Sequence, residues 1–230
     1  MAKALDHRVR VAALRREEMQ LHLLFSGLLL ASTHPVHELE VEDVIKQAEV
    51  SRGSFYNYFP SLPALYDGLA KQLMQEFSEL INDSMPQGLD PATRLASSMR
   101  ILMRLVVDFP MLGRFLTQIQ WPNQNSDTEI FQNIIRHIQL GIKEGSFTNM
   151  PASIGANIAI GSLIGGIHTM LLKRPAKGFE DQVTNQVLIG LGIDAKTASK
   201  ISQMSLPARP ALPETGIFGK LAEMGALAKK

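Results

Sequence analysis

Apolar residues along this chain recur with a helical period. Val41, Val44, Ile45 and Ala48 fall at i, i+3, i+4 and i+7 and mark one face of a short helix. The same spacing predicts helices near 8–32, 41–48, 52–58, 62–84, 91–108, 110–120, 127–145, 151–172, 179–191 and 195–204. No run alternates with a strand period, and hairpin turn pairs are absent, so the expected class is all-α. Several boundaries have a physical cause. Asp90-Pro91 pairs a capping carboxylate with a proline at the first helical position. Phe109-Pro110 and Trp121-Pro122 break helices, because a residue before proline is pushed out of the α region. Gly145 stands where a helix end favours a left-handed residue.

Three segments follow from this pattern: 1–75, 76–205, and a tail over 206–230. Pro207, Pro210 and Pro213 give the tail an extended start, and Ile217–Ala228 reads as a short terminal helix. Ile154–Leu172 carries no charge and is just long enough to span a bilayer. Its glycines, with Asn157, Ser162 and His168, favour a buried interface helix instead, and no membrane partner is expected.

The informative stretch is Val41–Leu69. Ala48 is small enough for a second helix to cross closely, Glu49-Val50 makes a tight connection, and Ser51 caps the next helix. In that helix Phe55 and Phe59 stand four apart and anchor it, which leaves Arg52, Gly53, Tyr56 and Asn57 around the opposite face. Glycine within a helix costs about 1 kcal/mol against alanine, so Gly53 makes sense where the backbone must approach something closely. Two short helices joined by a tight turn suit entry of the second into a DNA major groove. Arginine can pair with guanine, asparagine with adenine, and hydroxyls with phosphate oxygens.

Here the sequence resembles the tetracycline-repressor (TetR) family of bacterial regulators. The likeness lies in Val44, Ala48, Val50, Ser51, Gly53, Ser54, Phe55, Tyr56, Tyr58, Phe59, Ser61 and Leu65, within a stretch from Leu21 to Leu69. Later text is compatible, with Ile142–Phe147 (IKEGSF) closing a helix and Leu191-Gly192-Ile193 preceding Ala198. The resemblance implies a three-helix, helix-turn-helix DNA-binding domain over 1–75, and a helical effector-binding and dimerisation domain over 76–205. It implies that Arg52, Gly53 and Tyr56 face bases, that Ser51, Ser54, Asn57 and Tyr58 meet phosphates, and that Val50, Phe55 and Phe59 are structural. It also implies a homodimer on a palindromic double-stranded operator, and a ligand that shifts the spacing of the two recognition helices. The chain departs from the family where Glu49 replaces a turn glycine, where Glu40 replaces a threonine before the second helix, and where Leu62 replaces a lysine. Outside glycine, a left-handed turn conformation costs about 1 kcal/mol.

Composition changes this picture only in places. Hydrophobic residues make up 45% and charged residues 20%, which suits a packed core rather than disorder. There is no cysteine, which excludes disulfides, zinc-thiolate sites and cysteine nucleophiles. Residues 1–75 carry eight basic and nine acidic side chains, a balance of −1, so DNA binding there is expected either to be weak or to lean on an arm with Arg8, Arg10, Arg15 and Arg16. Met1–Arg16 mixes charges of both signs and lacks the apolar core of a signal peptide, which fits a cytoplasmic protein.

Met103, Phe115, Trp121, Phe131 and His168 are the candidate lining of a pocket for a small apolar effector. His137 is a second candidate for orienting a polar ligand group, while Glu129, Glu180 and Asp181 read as solvated helix faces. Gly155, Ala159, Ser162 and Gly166 form a stripe that lets helices approach, and in the family the last two long helices build the dimer interface. No catalytic motif, phosphate-binding loop, metal-ligand spacing or cofactor signature is present, so an enzyme is not expected. The combined expectation is a ligand-responsive DNA-binding regulator, more often a repressor. The competing one is a helical ligand-binding or scaffold protein that has lost DNA binding.

Overall fold

Caps and breaks legible in the sequence set several helix ends in the structure, among them the starts of the helices at Arg52, Pro91 and Pro110. The structure is a computed structural model that describes residues 2–118, 129–173, 175–206 and 211–227; the side chains of 2–9, 129–131, 226 and 227 fall outside the description. The helix expected over 110–120 ends at Leu116, and the Trp121-Pro122 break lies outside the described residues. In chain order the helices are α1 (Ala2–Ala31), α2 (Val41–Ala48), α3 (Arg52–Tyr56), α4 (Leu62–Ser84), α5 (Pro91–Asp108) and α6 (Pro110–Leu116). They continue with α7 (Glu129–Lys143), α8 (Ala152–Leu172), α9 (Phe179–Gly190), α10 (Ala195–Ser202) and α11 (Gly216–Leu227), and no strand occurs among the described residues. Asp90 accepts hydrogen bonds from the amides of Ala92 and Thr93, both 3.0 Å, and so caps α5. Asp194 caps α10 through Lys196 and Thr197 in the same way.

The chain forms two compact units. The first combines Met1–Glu76 with Leu212–Lys230, and the second is Phe77–Ala211. In the first unit Leu24, Leu28, Val44, Phe55, Leu65 and Leu69 are buried together with Phe218 and Leu221 of α11. Each such side chain contributes about 1.5–3 kcal/mol of apolar transfer. The proline-rich tail is thus not an appendage. It returns to the first unit, where α11 lies against α1 and Lys220 Nζ sits 5.6 Å from the centre of the Phe25 ring.

A buried carboxylate fixes that helix. Glu76 on α4 accepts the amides of Ile217 and Phe218, both at 2.8 Å, and Gln72 Nε2 donates to it at 2.8 Å. A negative charge at a helix N-terminus meets unpaired amides and the positive end of the helix dipole. Gly216 makes the approach possible: its φ is 77°, and a Cβ there would lie 2.3 Å from Glu76 Oε1.

The second unit packs α5, α7, α8 and α9 around Met99, Ile138, Ala156, Ala159, Leu188 and Leu191. The long apolar helix α8 buries one face, including Gly155, Ala159, Gly166 and Ile167, in the interior of this chain. The expected stripe of small residues, Gly155, Ala159 and Gly166 above all, therefore packs inside the chain itself. A Cβ at Gly155 would sit 2.8 Å from Ile138, and one at Gly166 would sit 2.9 Å from Met103 Cε. The glycines of α8 left uncovered are Gly161 and Gly165, one helical register away. By length and composition α8 could cross a membrane, yet its buried face belongs to a helical core.

Two acids expected on solvated faces are paired instead. Arg100 on α5 is buried, donates from Nε to Asp181 Oδ1 at 2.6 Å and from Nη1 to the carbonyl of Met204 at 2.7 Å. Arg104 Nε reaches Glu180 Oε1 at 3.2 Å. Sequence periodicity missed this because one turn separates each arginine from the next, and their partners lie on a helix some 80 positions later. Glu129 has its side chain outside the described residues.

Candidate nucleic-acid interface

Helix α2 begins with Asp43 accepting the Glu40 amide at 2.8 Å, and buries Val44 and Ala48. It ends in a Schellman turn: the Glu49 amide reaches the Lys46 carbonyl at 3.3 Å and the Val50 amide reaches that of Ile45 at 3.1 Å. This geometry needs a left-handed residue, and Glu49 supplies it at φ 53°, ψ 41°. Among the described residues it is the one non-glycine with positive φ. From α1, His22 Nε2 donates to the Ala48 carbonyl at 2.8 Å, which ties the end of α2 to the helix beneath. Pattern reading missed His22, since only the fold shows that it meets an unpaired helix-end carbonyl.

Ser51 then caps α3 by accepting the Ser54 amide at 3.0 Å, and the two hydroxyls share a 2.9 Å hydrogen bond. Phe55 and Phe59 are buried with ring centres 6.2 Å apart. Their anchorage turns the rest of α3 outward. Ser51, Arg52, Gly53, Tyr56 and Asn57 are exposed, and Ser54 and Tyr58 are half-buried. A Cβ on Gly53 would meet nothing nearer than Ser51 Oγ at 3.8 Å. No packing among the described residues therefore requires glycine at this position.

The cations of this surface are held by neighbours. Arg52 Nη1 lies 2.5 Å from Glu42 Oε1, and its guanidinium carbon sits 5.8 Å from the Tyr56 ring centre. Arg16 of α1 stands 5.9 Å over the Tyr58 ring. The expected basic arm is helical, because α1 starts at Ala2; Arg10, Arg15 and Arg16 are exposed on it, and the Arg8 side chain falls outside the described residues. Tyr66, below this surface, is buried; burial, with the Asp43 carboxylate as a smaller influence, pushes its hydroxyl up to about 12.

The proposed effector residues divide. Met103 and Phe115 are fully buried in the second unit. His168 is exposed on the outer face of α8, so it does not line the interior of this chain. His137 is also exposed; partial burial, then the charges of Arg94 and Arg136, hold its pKa below the usual histidine range. Trp121 lies outside the described residues, as does the side chain of Phe131. Two groups that sequence reading overlooked are Thr184 Oγ1 and Asn185 Oδ1 on α9, which are buried and have no hydrogen-bond partner among the described residues.

Comparison with known proteins identifies the family of this fold. Residues 26–68 match the family of bacterial regulatory proteins called the tetR family, and residues 90–204 match the tetracyclin repressor-like C-terminal domain. No curated protein matches the chain at a significant level. Among solved structures, RolR in complex with resorcinol is 23% identical, with 85% of this chain and 98% of that one covered at a TM-score of 0.64. A TetR family transcription regulator from Marinobacter aquaeolei VT8 is 15% identical over 78% of this chain and 98% of its own, with a TM-score of 0.62. FadR from Bacillus subtilis in complex with stearoyl-CoA is 19% identical over 75% and 98%, with a TM-score of 0.57. Both family matches stop before α11, so the docked tail lies outside them.

Proposed function

The chain belongs to the tetR family of bacterial regulatory proteins, and from that premise we propose that it is a cytoplasmic, ligand-responsive repressor that grips its operator with the outward face of α3. One observation carries this reading: burial of Phe55 and Phe59 leaves Arg52, Gly53 and Tyr56 standing clear of the first unit. In this reading Arg52 and Tyr56 read base edges, and the Gly53 backbone closes on the groove. Ser51, Ser54, Asn57 and Tyr58 take the phosphates.

The repressor works as a homodimer joined through α8 and α9. Supporting this, α8 exposes Ile154, Gly161, Gly165, His168 and Leu172 along one line, with Leu172 at 70% exposure. On α9, Gln182, Gln186 and Ile189 are exposed as well. Glycines on such a face admit close backbone approach, and Ile154 and Leu172 supply the apolar area. Two α3 helices then meet half-sites about one DNA turn apart, in successive major grooves of a palindrome.

The effector is a small, mainly apolar molecule with at least one hydrogen-bonding group. Supporting this, the second unit buries the apolar Met103 and Phe115, and Thr184 Oγ1 and Asn185 Oδ1 are buried oxygens without a partner among the described residues. A buried polar atom without a partner costs about 1–3 kcal/mol, so a ligand that satisfies it gains affinity there. RolR and FadR were solved with resorcinol and stearoyl-CoA, which supports a ligand in this fold. A ligand that binds one spacing of the α3 helices better than another shifts the population and releases DNA.

The test is selection of bound fragments from random DNA at fixed salt, followed by a salt titration on the winner. A palindromic consensus bound by a dimer, with affinity falling steeply as salt rises, is expected. Failure to enrich any sequence sinks the regulator reading and leaves a helical ligand-binding or scaffold protein.

A further inference from the structure

An exposed arginine beside a phosphate-rich partner normally goes to the phosphates, because the charge attraction there is strong and indifferent to sequence. Arg52 is not free to do so. Its side chain is two-thirds exposed, at 67%, yet Glu42 on α2 holds one end of the guanidinium at 2.5 Å and the Tyr56 ring lies 5.8 Å below its centre. The planar fork has five N–H donors, so the Glu42 contact leaves others to meet the two acceptors of a guanine edge. Glu42 is itself exposed, at 54%, and adds a carboxylate to the surface that faces DNA. A carboxylate so placed weakens the attraction to every duplex, whatever its sequence.

We propose that Glu42 is a specificity-determining positioning residue, which withholds Arg52 from phosphates and presents it to one base pair of each half-site. The inference rests on the operator-binding reading above. At Glu42, one of the nine acids of residues 1–75, the protein gives up general affinity and gains discrimination.

The experiment compares wild type with Glu42→Gln, Glu42→Asp and Arg52→Ala. Fluorescence anisotropy at fixed salt is read on the duplex selected by wild type and on a scrambled duplex of equal length and composition. Glu42→Gln should bind the scrambled duplex more tightly. Its ratio of specific to non-specific affinity should fall by about threefold to fivefold, the scale of one surface ion pair. Glu42→Asp keeps the charge but shortens the reach, so it should lower the ratio without raising binding to the scrambled duplex. Re-selection with Glu42→Gln should lose preference at the same base pair that Arg52→Ala loses.

An equal gain on both duplexes for Glu42→Gln, with the selected consensus intact, overturns the positioning role and leaves a plain charge effect. A wild-type ratio for Glu42→Asp also overturns it. A wild type that prefers no sequence at all would instead defeat the operator-binding reading, so the two failures are distinguishable.

Discussion

Glu49 occupies a backbone conformation made for glycine, and replacing it offers a test in which two effects of one side chain come apart. At φ 53° its Cβ crowds the following carbonyl, which costs an L-residue about 1–2 kcal/mol. Glu49→Gly removes that crowding. Glycine also loosens the unfolded chain, which takes back about 0.4–1 kcal/mol. The net gain is about 0.5–1 kcal/mol, because the Schellman bonds at Lys46 and Ile45 are already in place and need no rearrangement. For a cooperative unit of this size that is a rise in melting temperature of about 2–8 °C. Glu49→Ala keeps the crowding and removes the carboxylate, so it should melt within about 1 °C of wild type. Both variants delete one exposed negative charge from the turn before α3, so both should bind DNA more tightly, and to the same extent at low salt. Calorimetry of the three proteins, alongside anisotropy on one duplex, reads both effects. A glycine variant no more stable than the alanine variant would refute the strain argument.

Further outcomes follow from other contacts. Gly53→Ala should stabilise the fold by about 0.5–1 kcal/mol, because the added methyl clashes with nothing and meets only Ser51 Oγ at 3.8 Å, yet weaken operator binding at least tenfold; thermal melts and anisotropy on the same samples check the opposed signs. Gly216→Ala places a methyl on the Glu76 carboxylate in a left-handed backbone, and should cost about 2 kcal/mol or more and expose α11 to limited proteolysis. Arg100→Ala leaves Asp181 half-screened and unpaired and frees the Met204 carbonyl, so urea unfolding should report a loss of about 2–4 kcal/mol. Partial burial opposes the Asp90 charge, but hydrogen bonds from Thr93 and Ala92 outweigh it and hold the carboxyl below its usual range. Its contribution is therefore present above the unfolded value near pH 4 and lost as pH falls through the folded one. The stability difference between wild type and Asp90→Ala, about 0.5 kcal/mol at pH 7 after solvent screening, should shrink in urea melts as the pH falls below the unfolded value and through the folded one.

Local chemistry was legible in the sequence wherever its cause is local. The ends of α2, α4 and α5 follow from spacing, from the Asp90 cap and from prolines, all of which act within a few residues. The outward face of α3 was legible too, because Phe55 and Phe59 define its opposite side four residues apart. What the fold alone decided depends on residues far apart in the chain. Periodicity could not say which side of α8 would be covered, since that helix is apolar nearly all round; packing against Ile138 and Met103 chose the Gly155–Gly166 side and left Gly161 and Gly165 bare. Nor could it pair Glu76 with a helix that begins 140 residues later, or Arg100 with Asp181. Those contacts exist because a buried charge must find a partner, and only the closed chain determines which one is within reach.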